Sequence, residues 1–498
     1  MTLQELVSSI DIKKTYPGTQ GSGIDIKVLT ADSRAVVPSS LFVAIPGTGV
    51  DGHRFIPQAV EKGAVAVVCE HVPEDHASHP GVTWIEVADS SLAMGFLASQ
   101  WYGNPSRELT LVGVTGTNGK TTIATLLYEA WTARGVRSGL LSTVENRIGA
   151  EVVPSTHTTG DAMEINALMR RMVDAGCRFA AMEVSSHGAA QNRIAGLEFD
   201  GAIFTNLTRD HLDYHKTVDN YIRAKKKFFD NLKPGAWALV NDDDKQGRVM
   251  VQNTRARVSG YSLRSLDDFS CKVTEMRLDS TTMSINGIEL TTRFTGRFNA
   301  CNLTAVFGAL VLMGVAPEDA AVTISALRPV CGRFETAVSA DGVTVVVDYA
   351  HTPDAIANVL SAIRAVTPSA AITTVTGAGG NRDHGKRPTM GAEAAKLSAR
   401  LIITSDNPRD EDPAAIAAAI AEGAASVSTG CRVDTVLDRA EAIRKAIAEA
   451  APGDVVLVAG KGHETYQVFE NGRTIHFDDH EQVRAALDAR TKNTADKK

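Results

Sequence analysis

The run Val112-Gly113-Val114-Thr115-Gly116-Thr117-Asn118-Gly119-Lys120-Thr121-Thr122 constrains the fold of this chain more than any other segment. It reads as an apolar strand, a tight Gly/Asn loop and a Lys-Thr-Thr step into a helix. Glycines let backbone N–H groups close around phosphate oxygens, and the new helix points its positive dipole end at them. Lys120 adds a mobile cation and Thr121 a hydroxyl suited to Mg²⁺, so Gly116, Thr117, Asn118, Gly119, Lys120, Thr121 and Thr122 form the expected triphosphate cradle. The general phosphate-loop pattern has glycine six residues before the lysine; this chain has Val114 there and glycines at Gly113 and Gly116. The competing reading is an ordinary strand-to-helix turn. Ile123, Leu126, Leu127, Ala130 and Trp131 supply one apolar helical face ending at Gly135, which favours the nucleotide reading.

A chain of 498 residues exceeds one core, so two to four domains are expected. With 44% hydrophobic and 22% charged residues the composition is globular, and a net charge of −7 spread along the chain argues against a nucleic-acid partner. Met1–Lys14 lacks a positive-then-apolar pattern, and no apolar run reaches the roughly 20 residues needed to span a bilayer, so neither a secretory signal nor a membrane partner is expected. Cys69, Cys177, Cys271, Cys301, Cys331 and Cys431 contain no CxxC pair. They read as reduced core residues of a cytosolic protein.

Three segments are expected. The first mixes short strands such as Leu41–Ile45 and Ala64–Cys69 with turns, and ends in the turn-rich linker Tyr102–Ser106. The second alternates strands (Phe179–Met182, Ala202–Phe204, Trp237–Val240) with helices such as Asp161–Ala175, the mark of a mostly parallel sheet covered on both faces. The third begins near Gly332 and four times follows an apolar strand with polar or glycine residues. Val343–Val347 leads to Asp348–His351, and Ile372–Val375 leads to Gly377–Arg382. Leu401–Thr404 leads to Asp406–Arg409, and Val455–Ala459 leads to Gly460–Glu464. Ligands of open α/β sheets bind beyond the strand carboxyl ends, so these four clusters are expected to line one crevice. The polar tail after Arg490 is expected to fray.

Glu183 follows a strand one step from the phosphate loop, where a carboxylate commonly holds Mg²⁺; the plain alternative is a solvated glutamate. Thr205–His215 concentrates two histidines, two aspartates and an arginine past another strand, a set able to supply a second Mg²⁺ site. Lys225, in Tyr221–Phe229, reads by itself as part of a solvated basic helix face.

Thr115–Thr122, Glu183–Gly188, Asp210–His215, Tyr221–Lys225, Gly332–Glu335, Asp348–Pro353 and Ala459–Glu464 together resemble the Mur ligases of peptidoglycan synthesis, over nearly the whole chain. The family uses the shorter glycine loop, which accounts for Val114. The resemblance implies an α/β protein of three domains: a small α/β N-terminal UDP-substrate domain (1–103), a central P-loop-type parallel-sheet ATPase domain (104–332) and a C-terminal Rossmann-like amino-acid domain (333–498). It implies ATP as co-substrate, with Asn302, Arg333, Asp348 and His351 joining the phosphate loop. Mg²⁺ would sit on Thr121 and Glu183, and a second on His211 and a carbamylated Lys225. Lys120, Glu183, His211 and Lys225 would be the catalytic set. Ala31, Ser33, Thr48, Gly49 and Val50 would touch the UDP part, and His157, Thr158, Thr159, Ser185, Gln191 and Arg193 the muramoyl dipeptide.

Arg382, Asp406, Asn407, Pro408, Arg409, Gly460 and Glu464 resemble the pocket of the diaminopimelate-adding branch. Physics agrees: Arg409 can grip the far carboxylate bidentately and Glu464 can take the far ammonium. The implied reaction is ATP-driven amide formation through an acyl phosphate in a cytoplasmic monomer whose partners are small molecules. Lysine or ornithine as acceptor, a folylpolyglutamate-synthetase-like ligase, and a non-catalytic nucleotide switch are the competing readings.

Overall fold

In a computed structural model, which describes residues 1–495 except 20, 22, 48, 156 and 209–211, three separate α/β sheets follow one another along the chain. Side chains of residues 212, 213 and 493–495 also lie outside the description. The first sheet has five strands in the order Ile12–Tyr16, Thr83–Val87, Ala64–Cys69, Ser40–Val43, Val28–Thr30, antiparallel only at its first pairing.

The central sheet has eleven strands. Its middle is parallel: Arg257–Ser262, Trp237–Asn241, Gly201–Phe204, Thr110–Thr115, Phe179–Glu183 and Ser138–Leu141 lie side by side. Alternation of side chains across these strands feeds two cores. Val112, Val114 and Ala181 face the helices Lys120–Ala133 and Arg297–Leu312, while Leu111, Ala180 and Met182 face Ala162–Asp174 and Val218–Asp230. The sheet is mostly parallel, as expected, with antiparallel additions at its rims. Glu145–Ile148 and Glu151–Pro154 add an antiparallel hairpin on one side, and Phe269–Met276, Thr281–Ile285 and Ile288–Thr292 an antiparallel meander on the other. The short turns within the hairpin and the meander allow only antiparallel pairing, while Phe269–Met276 itself joins Arg257–Ser262 in parallel.

The third sheet runs Glu335–Val338, Thr344–Asp348, Val455–Ala459, Ile372–Thr376, Arg400–Ile403, Arg432–Thr435, parallel except at the first strand. Four adjacent parallel strands therefore end on one side, which puts their following loops together. Of the tail expected to fray, residues 491–495 belong instead to the helix Asp479–Ala495, and 496–498 lie outside the described residues. Arg490 anchors the helix through a 2.7 Å ion pair to Asp341 and a bond to the Ile447 carbonyl, and Arg439 and Asp479 form a fully buried pair at its start.

Candidate active site

Gly113 is not part of the phosphate loop. It sits inside the strand Thr110–Thr115, where a Cβ would lie 2.5 Å from the Phe228 ring and 2.8 Å from Phe199. The residue is a packing glycine. Gly116 and Gly119 make the loop: their φ values of +149° and +88° suit glycine, and a Cβ on Gly116 would strike the Thr205 hydroxyl. The helix Lys120–Ala133 then begins at once, with the Asn118 N–H held by Asn206. Lys120 Nζ donates to the Gly116 and Thr117 carbonyls at 3.0 and 2.8 Å.

This loop opens on a cleft of about 870 Å³ between the central and third sheets. From the central side Thr117, Asn118, Gly119, Lys120, Thr121, Thr122, Glu183 and Asn302 line it. Arg333, Asp348 and His351 face them. Arg333 stacks 4.5 Å over Tyr349 and donates to the Thr121 hydroxyl at 3.1 Å, and Asn118 donates to Asp354. Burial pushes the Asp348 carboxyl up to about 6 against the pull of Arg333, and holds the neighbouring His463 down to about 3, a neutral imidazole.

Glu183 is buried. One oxygen accepts from the Thr143 N–H at 2.8 Å; the other, Oε2, has no partner among the described residues. A buried carboxylate oxygen left unpaired beside a phosphate-type loop fits a divalent cation, which would satisfy it. Lys225 contradicts the solvated-face reading: it is 1% exposed, with Nζ 2.6 Å from the Gly116 carbonyl and 4.8 Å over the Tyr221 ring. Lys225 approaches the loop at Gly116, and neither residue is part of the cleft lining. His211 and Asp210 lie outside the described residues.

His157, Thr158, Thr159, Ser185 and Arg193 also line the cleft. Thr159, Ser185 and Arg193 form one network: Thr159 donates to the Glu183 carbonyl and accepts from the Ser185 N–H, and Arg193 holds the Thr159 carbonyl and Gln191 Oε1. Gln191 sits behind this wall, bonded to Tyr214. Ala31, Gly49 and Val50 are exposed on the first sheet's loops, and Ser33 is buried against Gln58, all apart from the cleft. Thr48 lies outside the described residues.

At the far end Arg382, Asp406, Asn407, Arg409, Gly460 and Glu464 line the cleft, with Pro408 buried just behind. Arg409 uses Nη1 on the Gly380 carbonyl, and no described acceptor meets its Nε–Nη2 edge. Sequence reasoning gave Lys461 no role. Fully buried, it joins Asp406 (3.3 Å), Asn407 Oδ1 (3.0 Å) and Glu464 (3.1 Å). Burial alone would raise Asp406, yet Lys461 and Arg439 pull it below the usual carboxylate range. Because Lys461 and the Val468 N–H fix the Asn407 oxygen, its NH₂ is turned to Glu464 at 2.9 Å. The sequence offered only a lysine between two glycines just past a strand end, which does not show its acceptor partners. Lys461→Met strands two carboxylates: we expect a loss of about 3 kcal/mol in urea melts, with the amino-acid KM rising far more than that for ATP.

Arg387 and Glu411 brace the Gly379–Arg382 loop through a two-pronged ion pair, and Arg387 also reaches the Gly379 carbonyl. The Arg387 hydrogen bonds hold the Glu411 carboxyl down to about 2. A carboxylate depressed in the folded state stabilises above its unfolded value of about 4.3, and that contribution fades as pH falls toward about 2. Glu411→Gln should therefore cost about 1 kcal/mol at neutral pH, and urea melts near pH 3 should show the gap shrinking.

Comparison with known families settles the class. Residues 25–102, 114–310 and 332–462 match, in order, the models described as Mur ligase family, catalytic domain; Mur ligase middle domain; and Mur ligase, glutamate ligase domain. The chain belongs to the Mur ligase family. Among relatives of this Mur ligase, a UDP-N-acetylmuramoyl-L-alanyl-D-glutamate–2,6-diaminopimelate ligase of Parabacteroides distasonis is 54% identical over 97% of this chain and 98% of its own. The enzyme of the same name from Geobacillus thermodenitrificans is 40% identical over 98% and 100%. A solved structure under that name aligns with a TM-score of 0.68 at 32% identity, covering 98% of this chain and 99% of that one. Mycobacterium tuberculosis folylpolyglutamate synthase, with ADP and AMPPCP, shares the fold at a TM-score of 0.60 and 17% identity, but covers only 74% of this chain. Among the described residues no helix is long and apolar enough to cross a membrane.

The three cysteines Cys69, Cys177 and Cys271 are buried as expected, whereas Cys331 is exposed at the junction of the central and third sheets. It stands in a Pro-Val-Cys-Gly turn in which Val330 packs into the central core while Cys331 itself is left exposed.

Proposed function

We propose that this chain joins an amino group of 2,6-diaminopimelate to the D-glutamate side chain of UDP-N-acetylmuramoyl-L-alanyl-D-glutamate, converting ATP to ADP and phosphate. The observation that carries this reading is the far end of the cleft. There an arginine edge with no partner among the described residues and a lysine-neutralised carboxylate set suit an amino acid charged at both ends. Full-length likeness to ligases of that name supports it.

Residues 1–103 would anchor the UDP part, with Ala31, Ser33, Gly49 and Val50 as contacts. Residues 104–332 would hold ATP on the phosphate loop, and 333–498 the diaminopimelate. Thr121 and Glu183 would hold Mg²⁺, whose charge would offset repulsion between the substrate carboxylate and the triphosphate. Lys225, as a carbamate, and His211 would hold a second. The D-glutamate γ-carboxylate attacks the γ-phosphorus, ADP leaves, and an acyl phosphate forms. The free amine then attacks the acyl carbon, loses a proton, and phosphate departs. Arg193 and the Thr158–Thr159 turn would orient the dipeptide, while Arg409, Asn407 and Glu464 would hold the amino acid's far end. The packed interface of Arg333, Tyr349 and Asp354 against the loop would keep water from the acyl phosphate. Such chemistry suits a cytoplasmic monomer acting on small molecules.

Phosphate release should need ATP, the UDP-muramoyl dipeptide and diaminopimelate together. Release of equal size without the dipeptide or without the amino acid would reject the proposal.

A further inference from the structure

Cys331, Glu335 and His480 bring a thiol, a carboxylate oxygen and a ring nitrogen within 4.8 Å of one another. Nothing in the ligase reaction uses them. We propose that they form a transition-metal site, matched to Zn²⁺, at the junction of the central and third sheets.

The chain builds the pair Cys331 and Glu335 by a tight reversal. Gly332 and Phe334 take φ values of +69° and +52°, and the Gly332 N–H bonds Glu335 Oε2 at 2.6 Å, folding the carboxylate back toward the thiol. His480 arrives from the helix Asp479–Ala495, with Nε2 2.6 Å from the same oxygen. Its other nitrogen, Nδ1, lies 3.2 Å from Asp478 Oδ1. That is the carboxylate–histidine arrangement that orients metal-bound imidazoles, with Nδ1–H toward the carboxylate and Nε2 toward the ion. Sulfur, nitrogen and one oxygen are a donor set for Zn²⁺ rather than Mg²⁺. Cys331 is exposed and Glu335 and His480 are half-buried, so an ion has access and a water can complete a tetrahedron. On binding, the thiol proton and the proton between Nε2 and Glu335 pass to solvent, and the ion replaces both. The site is distinct from the magnesium positions, whose donors are oxygens and a histidine around the phosphate loop. Arg333, in the same turn, reaches Thr121, so a bound ion would stiffen the strap between the two halves of the cleft.

Co²⁺ serves as the probe, titrated into the reduced full-length chain with excess Mg²⁺ and without nucleotide. Expected is a sulfur-to-cobalt charge-transfer band saturating at one ion per chain and displaced by Zn²⁺. The band should vanish in Cys331→Ser and need at least tenfold more Co²⁺ in His480→Ala; Asp478→Asn should weaken binding by roughly tenfold. Retained Mg²⁺-dependent ligase activity in all three variants without added Co²⁺ or Zn²⁺ would exclude misfolding. No such band, or a band surviving Cys331→Ser, would overturn the proposal whatever the fate of the ligase assignment.

Discussion

Lys225→Ala should lower ligase turnover by at least about a thousandfold while ATP still binds, because in the proposed mechanism this side chain carries an anion rather than a cation. Truncating a group that acts only as charge reaches the transferring phosphoryl costs several kcal/mol. The geometry also offers a simpler role: the amine holds the Gly116 carbonyl at 2.6 Å and could merely support the loop. Lys225→Arg separates the two. Arginine keeps a cation and donors near Gly116 but cannot take up CO₂ as a carbamate. Both variants inactive, with nucleotide affinity within about threefold of the unsubstituted chain, is the expected pair of results. An active arginine variant would remove the carbamate and leave a structural lysine.

Arg409→Ala should raise the KM for diaminopimelate about fiftyfold or more and leave the KM for ATP within about twofold. A charged, two-pronged contact in a partly buried pocket contributes about 2–3 kcal/mol, and 1.4 kcal/mol is a factor of ten. Arg409 is held ready for such a contact. Its backbone sits at φ +52°, tied to the Val468 carbonyl, and Nη1 is spent on Gly380. Only the remaining edge is available to a ligand. Steady-state kinetics with each substrate varied checks this, and equal changes in the two KM values would mean the pocket is elsewhere.

Much of this was legible in the sequence because the informative signals are local. The four strand-then-polar clusters of the third sheet could be read as one crevice, since parallel strands end on the same side. Asp348, His351, Arg382, Asp406, Asn407, Arg409, Gly460 and Glu464 do meet there. What escaped depended on long-range packing. Gly113 looks like a loop glycine until Phe199 and Phe228, far along the chain, are seen to fill its Cβ space. Lys225 lies on a lysine-rich helix face, and only the tertiary fold shows it approaching the phosphate loop at Gly116. Lys461 stabilises acids from two separate loops, a relation no single-segment pattern carries. The tail reads as frayed in sequence because the anchor of Arg490 is Asp341, on the opposite end of the domain's sequence.

The acceptor defines the assignment, so the most direct test is a competition of amino acids in one kinetic assay with saturating ATP and UDP-muramoyl dipeptide. Diaminopimelate should exceed lysine and ornithine in kcat/KM by at least about a hundredfold, the factor expected when a half-buried arginine loses its carboxylate partner. Equal use of lysine, or a preference for it, would contradict the assignment.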